Sequence, residues 1–255
     1  MNDPSAAIAA FRRATADGAE ARALERLSRE PQQRRAMEQF RRAVERAPDA
    51  EAALRDPRVL TVLAVALGIP EAAGQAGLAR RALLADPNER DGLLARLPDG
   101  RWREAAASLS LKRRGVATLR DPAVQARLAE GLQRAAWQRE LDAAHPGLGD
   151  AVLFSERAPG IRSTFGVLGN PVLRRVVTGA LDLPPQLALQ GVEAQARAVE
   201  SRLDVARLKQ PAAAQRLAER YLIARAREAQ PPQPGALPGL PPARPGTLPA
   251  AGVVA

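Results

Sequence analysis

The chain of 255 residues has no cysteine, so disulfide bonds, thiolate metal sites and thiol nucleophiles are all excluded. Aromatic residues make up only 3% of it, whereas 46% of its residues are hydrophobic. Any core must therefore be aliphatic, built mainly from Leu, Val and Ala. Because aromatic and β-branched strand formers are scarce and no stretch alternates convincingly with a period of two, this composition favours packed helices over a β-sandwich or barrel.

Histidine is scarce too, since His145 is the single one. It lies before a Pro-Gly pair, where we interpret it as the partner of a helix C-terminus rather than a catalyst. One histidine and no cysteine exclude His-rich zinc sites and His-Glu-x-x-His chemistry. No Gly-x-Ser-x-Gly elbow, dinucleotide fingerprint or phosphate-binding loop is present. The sequence therefore predicts no enzyme, no catalytic or metal-binding residues and no cofactor.

Long apolar runs are also missing. No run of about 18 apolar residues exists, which predicts that no segment spans a membrane. The N-terminus lacks the basic region followed by an apolar region that a Sec-type signal peptide requires. The sequence thus predicts a cytoplasmic protein, unless it is exported by a route that reads no cleavable signal.

Positive charge exceeds negative charge, with 38 Lys and Arg against 28 Asp and Glu and a formal net charge of +10. This balance raises the question of nucleic acid or another acidic partner. The basic pairs are dispersed along several predicted helices and alternate with Asp and Glu, which is typical of a solvated face. A basic, cytoplasmic, nucleic-acid-binding helical protein stays open as the alternative function, with phosphate contacts from Arg12/Arg13, Arg34/Arg35, Arg41/Arg42, Arg80/Arg81, Arg113/Arg114 and Arg174/Arg175.

What the sequence does contain is a repeated unit. The stretch from Leu54 to Pro70 returns as Leu168 to Pro184, with a shared pattern of Leu-x-(Asp/Asn)-Pro, a short apolar helix and a stop at Pro. Short polar side chains at 56 and 170 suit the N-cap of a helix, and the prolines that follow suit its first position. The identical pairs are Leu54/Leu168, Pro57/Pro171, Val62/Val176, Ala66/Ala180, Leu67/Leu181 and Pro70/Pro184.

The same punctuation recurs at Leu84–Pro87, Leu119–Pro122 and Leu208–Pro211, so we expect an array of short helices joined by tight turns. The clearest amphipathic stripe is Leu189, Val192, Ala196, Val199 and Leu203. The loosely patterned, Arg-rich N-terminal region is the part that we expect to be free to pack on a partner. Helices are predicted over residues 5–30, 32–47, 71–85, 87–96, 102–109, 122–144, 148–155, 161–168 and 211–228.

Several stretches, in order along the chain, resemble a bacterial family of unknown function, DUF1217, which is encoded mainly in alphaproteobacteria and often beside flagellar genes. The resemblance implies an all-helical fold and a link to flagellar assembly or structure, and members with more than one copy of the region fit the repeat. It transfers no catalytic residues. The matching stretches are Leu54–Pro70, Leu83–Pro87, Leu97–Glu104, Ala151–Ser155, Ser163–Pro184 and Arg220–Leu222.

We therefore predict an all-α, compact multi-helix array with an internal pseudo-repeat. Residues 1–52 are predicted as an N-terminal helical extension, 53–228 as the DUF1217-like helical domain with units starting near 54 and 168, and 229–255 as a disordered Pro/Gly-rich tail. The leading hypothesis is a non-enzymatic, cytoplasmic or flagellum-associated protein. Its expected partners are proteins, among them flagellar basal-body or export components.

Overall fold

A computed structural model describes residues 3–229 of the chain, and every regular element in that range is a helix. The all-α prediction is confirmed, and the predicted tail from residue 230 onward lies outside the described residues. Four 3₁₀ helices cover Pro70–Gly74, Ala158–Gly160, Pro185–Leu189 and Val205–Lys209. The α-helices are α1 (Pro4–Ala14), α2 (Ala19–Ser28), α3 (Pro31–Arg46), α4 (Ala50–Arg55), α5 (Pro57–Ala66), α6 (Ala76–Leu83), α7 (Leu93–Arg96), α8 (Arg101–Leu109), α9 (Leu111–Arg114), α10 (Ala117–Arg120), α11 (Pro122–Ala144), α12 (Leu148–Arg157), α13 (Thr164–Leu168), α14 (Pro171–Ala180), α15 (Val192–Glu200) and α16 (Pro211–Glu228).

The buried apolar side chains form two separate cores. The first core runs from Met37 to Leu132, and we call the helices around it, α3 to α10, the first lobe. The second core combines α1 and α2 with residues from Ala136 to Leu222, and we call α1, α2 and α12 to α16 the second lobe. Helix α11 belongs to both lobes, because its N-terminal half contributes Leu128 to the first core and its C-terminal half contributes Trp137 to the second.

The pseudo-repeat is present in three dimensions. In each lobe a short helix, α4 or α13, leads into a capped ten-residue helix, α5 or α14, then a 3₁₀ helix and a further helix, α6 or α15. Asp56 accepts a hydrogen bond from the N–H of Arg58 at 2.9 Å, and Asn170 accepts one from the N–H of Val172 at 3.0 Å. These side chains satisfy amides that the first helical turn otherwise leaves without a partner.

The two repeated helices also end in the same way. A left-handed residue follows each helix, Gly68 with φ of 73° and Asp182 with φ of 51°. The next N–H then reaches back to a carbonyl, Ile69 to Ala64 at 2.8 Å and Leu183 to Thr178 at 3.0 Å. This is the Schellman arrangement. Each repeated helix packs against a long helix of its lobe, α5 against α11 and α14 against α16.

The prediction that the N-terminal region is free to pack on a partner is wrong. Phe11 of α1 and Leu27 of α2 are each 1% exposed in the second core, and Phe40 of α3 is fully buried in the first. The single helix predicted over residues 5–30 is divided into α1 and α2, because Gly18 adopts a left-handed conformation with φ of 72°. Whether residues 1–52 form a unit of their own stays a prediction, but their helices help to build both cores.

Several helix predictions are confirmed only in part. The single helix predicted over residues 71–85 is divided into the 3₁₀ helix Pro70–Gly74 and α6, and within residues 161–168 only Thr164–Leu168 is helical. Pro87 does not begin a helix, since Asp86 caps only a turn through the N–H of Asn88 and helix α7 starts at Leu93. The stripe from Leu189 to Leu203 is not one helical face, because Leu189 ends a 3₁₀ helix and α15 starts afresh after Gly191. By contrast, α11 and α16 span the residues that the sequence predicts.

Candidate functional site

His145 lies at the C-terminal cap of α11, as the sequence predicts. Its backbone N–H donates to the carbonyl of Leu141 at 2.9 Å, and its own carbonyl accepts from the N–H of Leu148 at 3.0 Å. Within residues 3–229 its side chain makes no hydrogen bond to a carboxylate or hydroxyl group. The position therefore fits a helix-end role and provides no nucleophile–base pair.

The described residues contain no group of three or more His, Cys, Asp or Glu side chains placed to hold a metal ion. Over the same range, no helix combines the length and the apolar character that are needed to cross a bilayer.

The six arginine pairs that the sequence offers for phosphate contacts are distributed over five helices, α1, α3, α6, α9 and α14. Several of them bind carboxylates: Arg12 of α1 contacts Glu219 at 3.0 Å, and Arg114 of α9 contacts Asp121 at 3.3 Å. Arg42 likewise pairs with Glu38 one turn away on α3. These contacts reduce the net positive charge that each helix presents, and exposed pairs of this kind contribute little to stability.

An open groove with a volume of about 940 Å³ lies where the two lobes meet. One wall comes from α7, α8 and the link between them in the first lobe. The other wall comes from the end of α12, the 3₁₀ helix Ala158–Gly160 and α13 in the second lobe. We call this space the inter-lobe groove, and the side chains that matter below are Leu94, Leu97, Arg103, Ile161, Arg162 and Phe165.

Two glycines join the lobes at the groove. The N–H of Gly100 in the link before α8 donates to the carbonyl of Gly169 before α14, at 2.8 Å. The approach is close, because a Cβ on Gly169 would lie 3.4 Å from the carbonyl oxygen of Pro98 and 3.2 Å from that of Phe165. The backbones of the two lobes are therefore in direct contact here.

Arg101 fixes the first-lobe side of this junction. It is only 7% exposed, and its Nε donates to the carboxylate of Asp99 at 3.0 Å. Its other nitrogens donate to the carbonyl of Gly68, which follows α5, and to Glu71. Burial alone would lower the pKa of Arg101, but its hydrogen bonds and charge pairing with Asp99 and Glu71 outweigh burial and raise it. A buried charge paired in this way holds the link, α5 and α8 together.

Phe165 is the exposed aromatic residue of the chain. Its side chain is 54% exposed at the groove, whereas the other aromatic residues are at most 6% exposed. Its short helix, α13, is fixed at both ends, since Ser163 Oγ accepts from the N–H of Gly166 at 3.1 Å and the carbonyl of Phe165 accepts from Gly169 at 2.8 Å. The buried aromatic residues are Phe11, Phe40, Trp102, Trp137, Phe154 and Tyr221.

The rim of the groove is mainly basic. Four arginines and two glutamates line it, and Arg157 faces Glu104 across the lobes at 3.9 Å. Arg103 makes a long contact of 3.4 Å to the carbonyl of Leu94, and Arg162 is exposed. The groove therefore combines an apolar floor with a mainly basic rim.

A second cleft of about 610 Å³ lies between α5, α11 and α14. Glu71, which pairs with Arg101, lines it together with two aspartates, Asp142 and Asp150. Both aspartate carboxylates already make contacts within the protein. Asp142 accepts from the N–H of Gly149 at 2.9 Å, while Asp150 accepts from the hydroxyl of Tyr221 at 3.0 Å and pairs with Arg175 at 2.7 Å. These contacts engage both aspartates and fix α11, α12, α14 and α16 to one another.

Sequence reasoning did not identify the groove as a site. Its signal was nevertheless present, because two stretches that carry the DUF1217 resemblance, Leu97–Glu104 and Ser163–Pro171, meet at this junction although 58 residues separate them in the chain.

One comparison with known proteins shows the family of the chain, and another shows its fold. The sequence model of a family described as "Protein of unknown function (DUF1217)" matches residues 72–214. A crystal structure of a protein from Agrobacterium tumefaciens, a structural-genomics target, superposes with a TM-score of 0.73 at 22% identity, over 90% of this chain and 97% of that one. No functionally curated protein matches the sequence. The structural likeness shows a shared fold.

Proposed function

Because this chain belongs to the DUF1217 family of proteins of unknown function, we propose that it is a non-enzymatic, flagellum-associated structural or assembly protein that acts by binding another protein. The flagellar part of the proposal is supported by the flagellar gene neighbourhood that the family resemblance implies. The binding part is supported by the surface of the protein itself.

The observation that carries the proposal is the exposure of Phe165 at the inter-lobe groove. Leaving half of a phenylalanine ring in water forgoes on the order of 1 kcal/mol of burial free energy. The chain buries each of its other aromatic side chains, so the exception stands out. An exposed ring beside an apolar groove with a polar rim is a typical protein-binding surface.

Catalysis has less support from the same surface. Ser163 uses its hydroxyl group to cap α13, and His145 lies in a different part of the second lobe at the end of α11. Neither residue is placed to activate the other. The acidic residues of the neighbouring cleft are held in structural hydrogen bonds.

Binding of nucleic acid, the alternative function, is motivated by the net charge of +10. The arginine pairs that would serve it are divided among helices of both lobes, and several pair with carboxylates. Nucleic-acid grooves combine a continuous positive track with stacking platforms, and here a single aromatic residue is exposed. Protein binding therefore has the stronger support.

The proposal is tested by recovering the tagged protein from its own motile cells and from cells that lack the flagellar genes, with washes at low and high salt. Rod, hook or export components that survive the high-salt wash and disappear with Phe165→Ala support it. Leu189→Ala is the matched control, because Leu189 is 89% exposed and lies outside the groove. Recovery of nucleic acid alone, lost at high salt, would contradict the proposal.

A further inference from the structure

We propose that the inter-lobe groove receives an amphipathic helix of the partner protein whose polar face carries carboxylates. This inference rests on the proposed function in one respect, that the partner is a protein. It adds the place of contact and the chemistry of the segment that binds there.

The floor of the groove requires an apolar face on the partner. Leu94 and Ile161, from opposite lobes, are 3% and 5% exposed and form its base, while Leu97 and Phe165 stand at its edges. An apolar side chain inserted between these edges would cover the Phe165 ring and the partly exposed Leu97. Such a central apolar anchor surrounded by a polar rim is the usual anatomy of a protein interface.

The rim favours negative charge on the partner, because its arginines outnumber its two glutamates, Glu104 and Glu156. Arg101 is fully engaged with Asp99 and Glu71, but three other guanidinium groups retain unused donors. Arg157 lies 3.9 Å from Glu104, which is beyond normal hydrogen-bond length, and Arg103 reaches only a backbone carbonyl. Arg162 forms no ion pair within residues 3–229. These three groups, from both lobes, surround the apolar floor and are complementary to carboxylates.

We infer a helical partner segment from the backbone hydrogen-bonding groups of the groove. An extended peptide binds tightly by adding a strand to a sheet edge, and the part of the chain in the structure has no strand. Helices and short links form both walls, so no row of backbone donors and acceptors is available. A helix satisfies its own backbone and needs only apolar and charged side-chain contacts.

The groove is tested by site-specific photo-crosslinking of the full chain in motile cells. A benzophenone amino acid replaces Phe165 in one variant and Leu189 in a control, and the crosslinked partner peptide is identified by mass spectrometry. The inference requires that position 165 crosslinks to an acidic amphipathic segment. It also requires that Arg103→Glu with Arg162→Glu lowers the yield at least about tenfold, and that replacing the segment's carboxylates with lysine restores it.

The other outcomes separate the two proposals. A partner captured through position 189 but not 165, or a captured segment without carboxylates, overturns the groove inference and leaves protein binding intact. Nucleic acid at position 165, with no protein at either position, overturns both. The exchanged side chains are exposed, so unchanged thermal unfolding of each variant verifies that it is folded.

Discussion

Gly131 of α11 lies directly against the carbonyl oxygen of Ala66 at the end of α5. A Cβ atom placed on Gly131 would come within 2.3 Å of that oxygen and 3.0 Å of the Ala66 Cα. The atoms that a Cβ would meet belong to the backbone of Ala66, so a side-chain rotation cannot relieve the clash. The helix shared by the two lobes crosses the repeated helix of the first lobe at this point, and only glycine permits the approach.

Gly131→Ala should destabilise the protein although alanine is the better helix former. An open helical site would gain up to about 1 kcal/mol from this exchange. Here α11 must move away from α5, and overpacking of this kind costs about 1–3 kcal/mol. Urea unfolding followed by circular dichroism measures the difference. Gly77→Ala in α6, where no atom lies within 4 Å, is the control and should be neutral or slightly stabilising.

Because the repeated helices end in the same way, we predict that substitutions at the two ends change the free energy of unfolding in opposite directions. Asp182 and Gly68 occupy the same left-handed position, which glycine adopts without the steric cost of a side chain. Asp182→Gly should therefore raise the free energy of unfolding by about 0.5 kcal/mol. Gly68→Ala should lower it by about 1 kcal/mol through backbone strain alone, since no atom lies within 4 Å of the new Cβ. If urea titrations showed that both substitutions change the free energy of unfolding in the same direction, the two positions would not be equivalent.

Each lobe contains one tryptophan, Trp102 in the first core and Trp137 in the second. Variants Trp102→Phe and Trp137→Phe therefore report separately on the unfolding of each lobe. Because α11 contributes to both cores and Gly100 donates a hydrogen bond to Gly169 across the junction, we expect one cooperative transition. The fluorescence midpoint of each variant should equal its own circular dichroism midpoint. A fluorescence change that precedes the loss of helix would show that the lobes unfold independently.

Local capping made much of the fold predictable from sequence. Asp121 before Pro122 and the proline at 211 mark the starts of the two longest helices, and both run to the predicted residue. Asn170 and Asp56 cap the repeated helices as their spacing indicates. These signals are local, because a side chain two residues away satisfies an amide without tertiary structure.

The sequence predictions that proved wrong are those that depend on tertiary packing. Phe11 and Leu27 belong to the loosely patterned N-terminal region, yet each is buried, because the side chains that cover them lie far along the chain in the second core. Leu189 fits an ideal stripe but is 89% exposed, since Gly191 interrupts the helix between it and Val192. The groove was missed for the same reason. It exists only where Gly100 and Gly169 bring two distant links together.

The environment of Tyr221 predicts that the protein loses stability at alkaline pH. The ring is 1% exposed, and Cβ atoms on Gly179 or Gly147 would approach it to 2.9 and 3.0 Å. Burial first, and then the charge of Asp150 and the hydrogen bond to it, raise the pKa of Tyr221 well above its usual value. The folded state therefore keeps its phenolic proton at a pH where the unfolded chain has lost it. With more protons bound in the folded state, stability must fall as pH rises past about 10, the pKa of an unperturbed phenol.

The expected slope for this one group is about 1.4 kcal/mol per pH unit. Because the chain has a single tyrosine, the tyrosinate absorbance band reports on this residue alone. That band should appear together with unfolding, not before it. Tyr221→Phe keeps the ring, loses the hydrogen bond to Asp150 and should be less stable by about 1–2 kcal/mol at neutral pH. Its deficit relative to the natural chain should then shrink above pH 10, because phenylalanine has no proton to lose. A tyrosinate signal with an ordinary pKa in the folded protein would show that Tyr221 is neither buried nor bonded as described.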